Sequence, residues 1–411
     1  GWIKRTIGAI FLILGLLIIF GFDQKLELAL SNHLFDVTTI EQKLLAKNQT
    51  NSTNQTNNQI NNPAPTTSNI PSISALAKNL GAAERIKIKS SEYQVAPEIT
   101  DPSGFINTDG EPITISQFKG KKVVLVDFWT YSCINCQRTI PYLNAWYQKY
   151  ADQGLEIIGI HTPEFSFEKV QSNVAAAVKN FGIKYPVVLD NDNGTWNAFG
   201  NEYWPREYLI DLDGFIVHDH AGEGDYDGTE QAIQKALAER ANILDTGSVS
   251  GGTVAPADAI TMDPNQVNSP ETYFGSNRNE YLANGSQTTN GIQNLSLPEN
   301  MSLNNLYLSG AWNFAPEYAE TSDSNAKIIY KYDAKNLYFV ASSTLGANIK
   351  ILLDGKPVTA AVMGADVNSD STVLVKDDRL YKIINGATYG EHTLEIDVES
   401  GTLDAYTFTF G

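Results

Sequence analysis

The chain has 411 residues, which is too long for one ordinary domain and sets an expectation of two or three. It carries 29 Lys and Arg against 47 Asp and Glu, a net charge of −18, and no basic run. Phosphate binding needs clustered cations, so nucleic acid is excluded as a partner and the acidity reads as solvated surface.

An uncharged apolar run extends from Ile7 to Phe22, with Trp2 and Ile3 before it and Lys4 and Arg5 placed to snorkel. A cleaved signal peptide, a signal anchor and the last helix of a larger membrane domain all fit such a run. Only "ELALS" approaches a cleavage site, so a retained transmembrane helix over residues 1–24 is the expectation. Lys4 and Arg5 place its start in the cytoplasm and the rest of the chain at the extracytoplasmic face of the cell membrane. Residues 25–91 read as a juxtamembrane segment and tether, with an Asn/Thr/Pro-rich stretch over 48–72 that has little to bury.

Residues 92–242 alternate strands and helices. "KKVVLVDFW", "LEIIGI" and "YPVVLD" are buried strands, and helices follow the first two. "REYLIDLDGFIVHDH" is a hairpin turned at Asp213-Gly214, and "TEQAIQKALAER" is a last helix. The pattern predicts a mostly parallel sheet with an antiparallel hairpin at one edge. Residues 243–269 form a Gly/Pro/Ser-bearing linker. Residues 270–411 change to short alternating runs split by Gly and Asp turns, which predicts an all-β sandwich, jelly-roll-like.

Both cysteines of the chain lie in "DFWTYSCINCQR", at Cys133 and Cys136. A C-x-x-C pair after a strand and at a helix start is the setting of a redox dithiol. The helix N-terminus favours thiolate, so Cys133 is the expected attacking group and Cys136 the resolving one. A short structural disulfide is one alternative. A zinc half-site is another, with His218 and His220 of "VHDH" as the only close His pair. Neither a metal nor another cofactor is expected.

"VDFWTYSCINCQRTIPYL" resembles thioredoxin, with Asp127 six residues before Cys133 and Pro141 eight after it. Over a longer span the chain is similar to TlpA/ResA-type thioredoxins. Its "FWTYSCINCQR", "HTPEFSFEK", "YWPREYLID", "GEGDYD", "SPETYFG" and "AYTFTFG" resemble the C-terminal part of the DipZ family over about residues 92–411. That resemblance implies a thioredoxin-like fold followed by a carbohydrate-binding-module-like sandwich. It also implies a CcdA-like membrane electron donor and cysteine-containing exported proteins as substrates, apocytochromes and cytochrome c biogenesis among them. The Asn-rich tether departs from the family pattern.

The resemblance also assigns roles. Asp127 is the protonation partner of Cys136, a buried carboxyl able to take a proton near neutrality, with a surface Asp at a strand end as the alternative. Pro205 is the cis-proline that faces the dithiol, with Trp204 flanking a groove for an extended substrate, and a trans proline opening an edge strand is the alternative. His161 and Glu164 end a parallel strand on the dithiol's side, so "HTPE" borders the site. His161 either tunes Cys133 and shuttles protons or simply packs. Trp129 and Tyr131 frame the site as substrate contacts, and Arg138 reads as solvated, with assistance to the thiolate as the alternative.

Two features suggest other functions. Trp312, Tyr307 and Tyr273 are a candidate sugar platform, with core packing as the alternative fate. Asp366, Asn368 and Asp370 of "DVNSDS" resemble the front of a calcium loop but lack its Gly and its distal Glu. The reading is thus a membrane-tethered extracytoplasmic thiol–disulfide oxidoreductase. A glycan- or partner-binding protein dominated by its sandwich, or a thiol peroxidase, is the alternative. The residues between the two cysteines do not set the direction of electron flow.

Overall fold

The computed structural model describes residues 80–260 and 262–411. The expected helix over 1–24 and most of the tether over 25–91 lie outside them. Among the described residues no helix is long and apolar enough to cross a membrane.

The first domain is built on a six-stranded sheet in the order β1-β4-β3-β2-β5-β6. Its strands are β1 (Gly104–Ile106), β2 (Val123–Trp129), β3 (Leu155–His161), β4 (Val187–Leu189), β5 (Arg206–Ile210) and β6 (Ile216–Ala221). Its helices are α1 (Ala82–Lys89), α2 (Ile134–Tyr150), α3 (Gln171–Asn180), α4 (Gly194–Phe199) and α5 (Tyr226–Leu244). The sheet is mixed rather than mostly parallel. Only β2, β3 and β4 run parallel, while β1, β5 and β6 each pair antiparallel. The Asp213-Gly214 turn does join β5 to β6, with Gly214 at φ +89° where a side chain would be strained.

Strand β2 is buried on both faces, and its residues divide by parity. Val123, Leu125 and Trp129 face the cluster under α2, α3 and α5, while Val124, Val126 and Phe128 face the cluster under α4. Asp127 therefore occupies a core position on the α2 side, between Leu125 and Trp129. Gly159 of β3, beside Asp127 in register, leaves room for the Trp129 indole; a Cβ there would lie 2.9 Å from its Nε1.

Residues 82–89, assigned above to the tether, instead form a helix anchored to the first domain. Arg85 pairs with Asp213 at 2.8 Å, and Lys89 with Asp211, Asp213 and Glu239 at 2.5, 3.0 and 2.6 Å. The linker after α5 is also docked. The carbonyl of Gly252 accepts from Lys149 and Gln234, and Val254 donates to Glu230.

In the second domain, from Thr272 to Phe410, the strands pair antiparallel and form two layers, with isolated parallel bridges at Leu282–Leu306 and Leu303–Lys331. The strand Leu306–Phe314 belongs to both layers. Leu306–Ser309 pair with Lys327–Tyr330, while Gly310–Phe314 pair with Gly291–Leu295. Gly310 sits at the corner with φ +94°. One continuous core fills the space between the layers. The outer face of the layer carrying Tyr338, Val340, Leu380 and Tyr406 joins the core of the first domain around α2.

Lys89 is nearly buried among three carboxylates, so its loss strands their charge. Lys89→Met is expected to destabilise by about 3 kcal/mol, measured by urea unfolding. A loss under about 0.5 kcal/mol, the level of a surface pair, would mean that α1 is not held by this cluster.

Candidate active site

Cys133 caps α2. Its backbone is extended, and its Sγ accepts the N–H of Cys136 at 3.3 Å. Cys133 is partly exposed, whereas Cys136 is 1% exposed, one turn into the helix. Burial pushes the Cys136 thiol well above its usual range, and the neighbouring Cys133 sulfur and Asp127 add to this. The two thiols therefore differ in access, which follows directly from their positions at the helix start.

The loop before Cys133 is tied down by a residue that the sequence reading passed over. Glu168 is fully buried, and its carboxylate accepts from Ser132 N (3.2 Å), Ser132 Oγ (2.6 Å), Glu164 N (2.7 Å) and Phe165 N (3.0 Å). Burial raises its pKa while the Ser132 hydroxyl opposes the rise. In the sequence it is one acid of "SFEK", indistinguishable from a helix-capping Glu. On the other side, the Trp204–Pro205 peptide is cis and the Trp204 carbonyl lies 4.0 Å from Cys133 Sγ. Trp204 is half-buried and packs on Trp196 at 4.4 Å.

Asp127 is 1% exposed and its Oδ1 has no hydrogen-bond donor in the protein. Burial pushes its carboxyl up to about 8. Glu207, directly opposite on β5, is equally buried and raised well above its ordinary value by burial and by Asp127. Glu207 carries no local cue, because strand alternation shows burial but not which acid faces which.

The remaining expected residues divide. Glu164 lines the cleft at Cys133, where its carboxylate accepts from Tyr273 Oη (2.8 Å) and Arg278 Nη1 (2.7 Å) of the second domain. Trp129 does not reach the cleft. It is fully buried, because it follows Asp127 by two on the core face of β2. Tyr131 is 4% exposed, and its hydroxyl is spent on the Asp378 carbonyl of the second domain at 3.0 Å. His161 is fully buried, stacked on Tyr131 and edge-on to Trp129. Burial lowers its pKa to about 3, so it stays neutral, and of its two readings the structure supports packing. Arg138 is not solvated. It is 2% exposed, with Nε and Nη2 on the Glu223 carboxylate at 2.6 Å. Burial disfavours its charge, and Glu223 more than compensates, with a smaller contribution from Cys133.

A cleft of about 500 Å³ opens at Cys133. One wall is Ile134, Asn135 and Trp204, and the other is Glu271, Tyr273 and Arg278 of the second domain. The Arg278 guanidinium lies 3.6 Å over the Tyr273 ring, so Tyr273 is engaged by protein. Trp312 is fully buried and donates to Ser309 O, and Tyr307 is 6% exposed; both are core rather than a sugar platform. The candidate calcium loop is also satisfied internally. Asp366 accepts from Arg379 and Lys382 N, and Asp370 from Thr372. Among the described residues, the only acidic or His/Cys group with metal-ligand spacing is Asp211, Asp213 and Glu239, and Lys89 binds all three.

Two family models match the chain: Redoxin over residues 89–237, and Thioredoxin like C-terminal domain over residues 269–411. Protein DipZ of Mycobacterium tuberculosis is 36% identical over 320 residues, which are 77% of this chain and 43% of that protein. The chain thus spans less than half the length of this relative. Thiol-disulfide oxidoreductase YkuV of Bacillus subtilis is 32% identical over 146 residues, 36% of this chain and 96% of that protein. A solved thioredoxin-like protein in the oxidised form is 29% identical with a TM-score of 0.33, covering 36% of this chain and 97% of that one.

The raised Asp127 carboxyl has a consequence for stability. The folded protein keeps a proton that the unfolded chain loses near its ordinary value of 3.8. Stability present below that pH is therefore lost as pH rises through about 8. Asp127→Asn removes this dependence. It is expected to leave stability at about pH 4 unchanged and to raise it at about pH 9 by about 3 kcal/mol or more. Urea titrations at both pH values test this, and an equal effect at both would mean that the carboxyl is not desolvated.

Proposed function

The chain belongs to the thioredoxin-like thiol–disulfide oxidoreductases and is a homologue of DipZ, and from that premise we propose that Cys133 and Cys136 are its exchanging dithiol. The observation that carries the proposal is the asymmetry of the pair: a partly exposed Cys133 at a helix N-terminus, with Cys136 buried behind it against an unpaired acid.

The reaction runs as a disulfide exchange in the reducing direction. The Cys133 thiolate attacks a substrate disulfide, forming a mixed disulfide and releasing the first substrate sulfur as thiolate. Cys136 loses its proton to the ionised form of Asp127 and attacks Cys133 Sγ. The second substrate sulfur leaves with the electron pair, and Cys133 and Cys136 are left joined. Two electrons have passed to the substrate, and a dithiol donor must restore them.

The substrate enters between Trp204 and the wall of Tyr273 and Arg278. An extended segment suits this cleft, which Trp204 of the cis Trp204–Pro205 peptide lines beside Cys133. Our reading of the setting is a membrane tether over residues 1–24, the two described domains on the extracytoplasmic side, and a CcdA-like membrane donor. The apolar run from Ile7 to Phe22 and the homology to DipZ support it. Its substrates are cysteine-containing exported proteins. The burial of Trp312 and Tyr307 favours this over a glycan-binding reading.

Cys133→Ser is expected to abolish reduction of a model disulfide protein such as insulin. Equilibration of the reduced chain with dithiothreitol buffers is expected to give a midpoint near thioredoxin's, about −270 mV. Retained activity in Cys133→Ser would overturn the dithiol assignment. A midpoint near DsbA's, about −120 mV, would reverse the proposed electron flow.

A further inference from the structure

A row of polar side chains crosses the sheet beneath α2 and α5. Asp127 on β2 stands opposite Glu207 on β5, and Glu207 stands opposite His220 on β6. Opposed residues of an antiparallel pair point to one face with their Cβ atoms about 5 Å apart. The carboxyls of Asp127 and Glu207 are therefore within reach of one another. The next opposed pair on this face is Leu125 and Leu209, both fully buried. Apolar packing would thus suit this layer, and two acids there need a reason other than the fold.

Neither acid is fully satisfied. Asp127 Oδ1 and Glu207 Oε1 both lack a donor in the protein, as does the hydroxyl of Tyr185, which lies among Asp127, Glu207 and Cys136. The other oxygen of Glu207 leads outward. Its Oε2 accepts from Thr229 Oγ1 at 3.3 Å, and that hydroxyl lies 3.2 Å from His218 Nε2. His218 is half-buried on β6, the edge strand of the sheet.

We propose that Asp127 and Glu207 act as one carboxyl pair, holding a proton in common, that relays the Cys136 proton through Thr229 to His218 at the sheet edge. This rests on the reading of Cys133 and Cys136 as the exchanging dithiol and adds a route for its proton. When Cys136 attacks the mixed disulfide, its S–H proton passes to the pair. The Cys133–Cys136 bond forms, the bond from Cys133 to the substrate breaks, and the substrate sulfur leaves as thiolate. The Thr229 hydroxyl then takes a proton from Glu207 as it gives its own to His218, which releases it to solvent. Re-reduction by a donor dithiol brings two electrons in and returns a proton along the same path.

The path explains why burial of Cys136 does not isolate it. Two adjacent carboxyls in a dry site cannot both ionise easily, so the pair keeps one proton in common above the ordinary carboxylate range. Glu207 also senses Asp225 at the start of α5, and His218 senses His220, Asp225 and Asp219. Asp225 and His220 are the groups of α5 and β6 on the row's side, with Cys136 of α2 and Tyr185 facing it from the other side, while Asp219 lies on the opposite face of the sheet, paired with Arg206.

The test is a carbon-13 titration of the Asp and Glu carboxyls in the full reduced chain. Coupling predicts that Asp127 and Glu207 each report the same two steps. Glu207→Gln is expected to collapse the Asp127 curve to one step at lower pH, because a like charge is removed. An Asp127 curve unmoved by Glu207→Gln overturns the pair. Should Glu207→Gln fail to fold, Asp127→Asn must lower the Glu207 step in the same way, and an unmoved step overturns the pair equally. For the outward limb, Thr229→Val is expected to slow single-turnover resolution of a mixed disulfide about tenfold at neutral pH. The midpoint potential should not move, and Thr229→Ser should restore the rate. An unchanged rate in Thr229→Val overturns the relay. The titration does not depend on turnover, so loss of the dithiol reading through Cys133→Ser would be seen separately.

Discussion

Four hydrogen bonds converge on the carboxylate of Glu168, which has no access to solvent. Two come from Ser132, the residue before Cys133, and two from the backbone of Glu164 and Phe165. A buried carboxylate left without donors would be strongly disfavoured, so these partners hold one another in place. The Ser132 bonds fix the entry to α2 and with it the aim of Cys133. The bonds to Glu164 and Phe165 fix the loop whose Glu164 side chain receives Tyr273 and Arg278 of the second domain. The site and the domain contact are thus set by one buried group.

The chemistry of the site follows from a gradient of burial along a single helical turn. Cys133 reaches the cleft and accepts an amide N–H from within the helix, whereas Cys136 lies in the core beside Asp127. A low-dielectric setting disfavours every charge it holds, and it does so for thiol and carboxyl alike. Burial thus raises the proton affinity of Cys136 and of Asp127 together, although neither group is accessible.

The second domain is more than an appendage to this arrangement. Its outer face shares a core with the first domain through Tyr338, Val340, Leu380 and Tyr406, and it supplies one wall of the cleft at Cys133. Phe165 and Phe167, which flank the loop held by Glu168, pack edge-on against Tyr406 at 5.1 and 4.9 Å. An isolated first domain would present the dithiol on an open surface. Here the cleft at Cys133 lies between two domains, so under the proposed function selection by shape and charge becomes possible where backbone pairing alone would be permissive.

The sequence by itself determined the elements of the first domain and set two cysteines at a helix start. Continuous apolar runs marked β2, β3 and β4, because burial on both faces leaves a local record, and the Asp213-Gly214 turn marked the β5–β6 hairpin. Cys133 and Cys136 were legible because C-x-x-C at a helix start carries its chemistry in its spacing, and Asp127 because a lone acid stands inside an apolar strand. The tertiary structure decided what depends on partners distant in the chain. Trp129, Tyr131 and His161 looked like site residues by proximity in sequence, yet strand parity and the second domain turned them into core. Arg138 appeared solvated until Glu223, 85 residues away, covered it. Glu168, Glu207 and Arg278 gave no local signal, since a buried charge is recognised only by the groups that satisfy it or fail to, and those are brought together by folding.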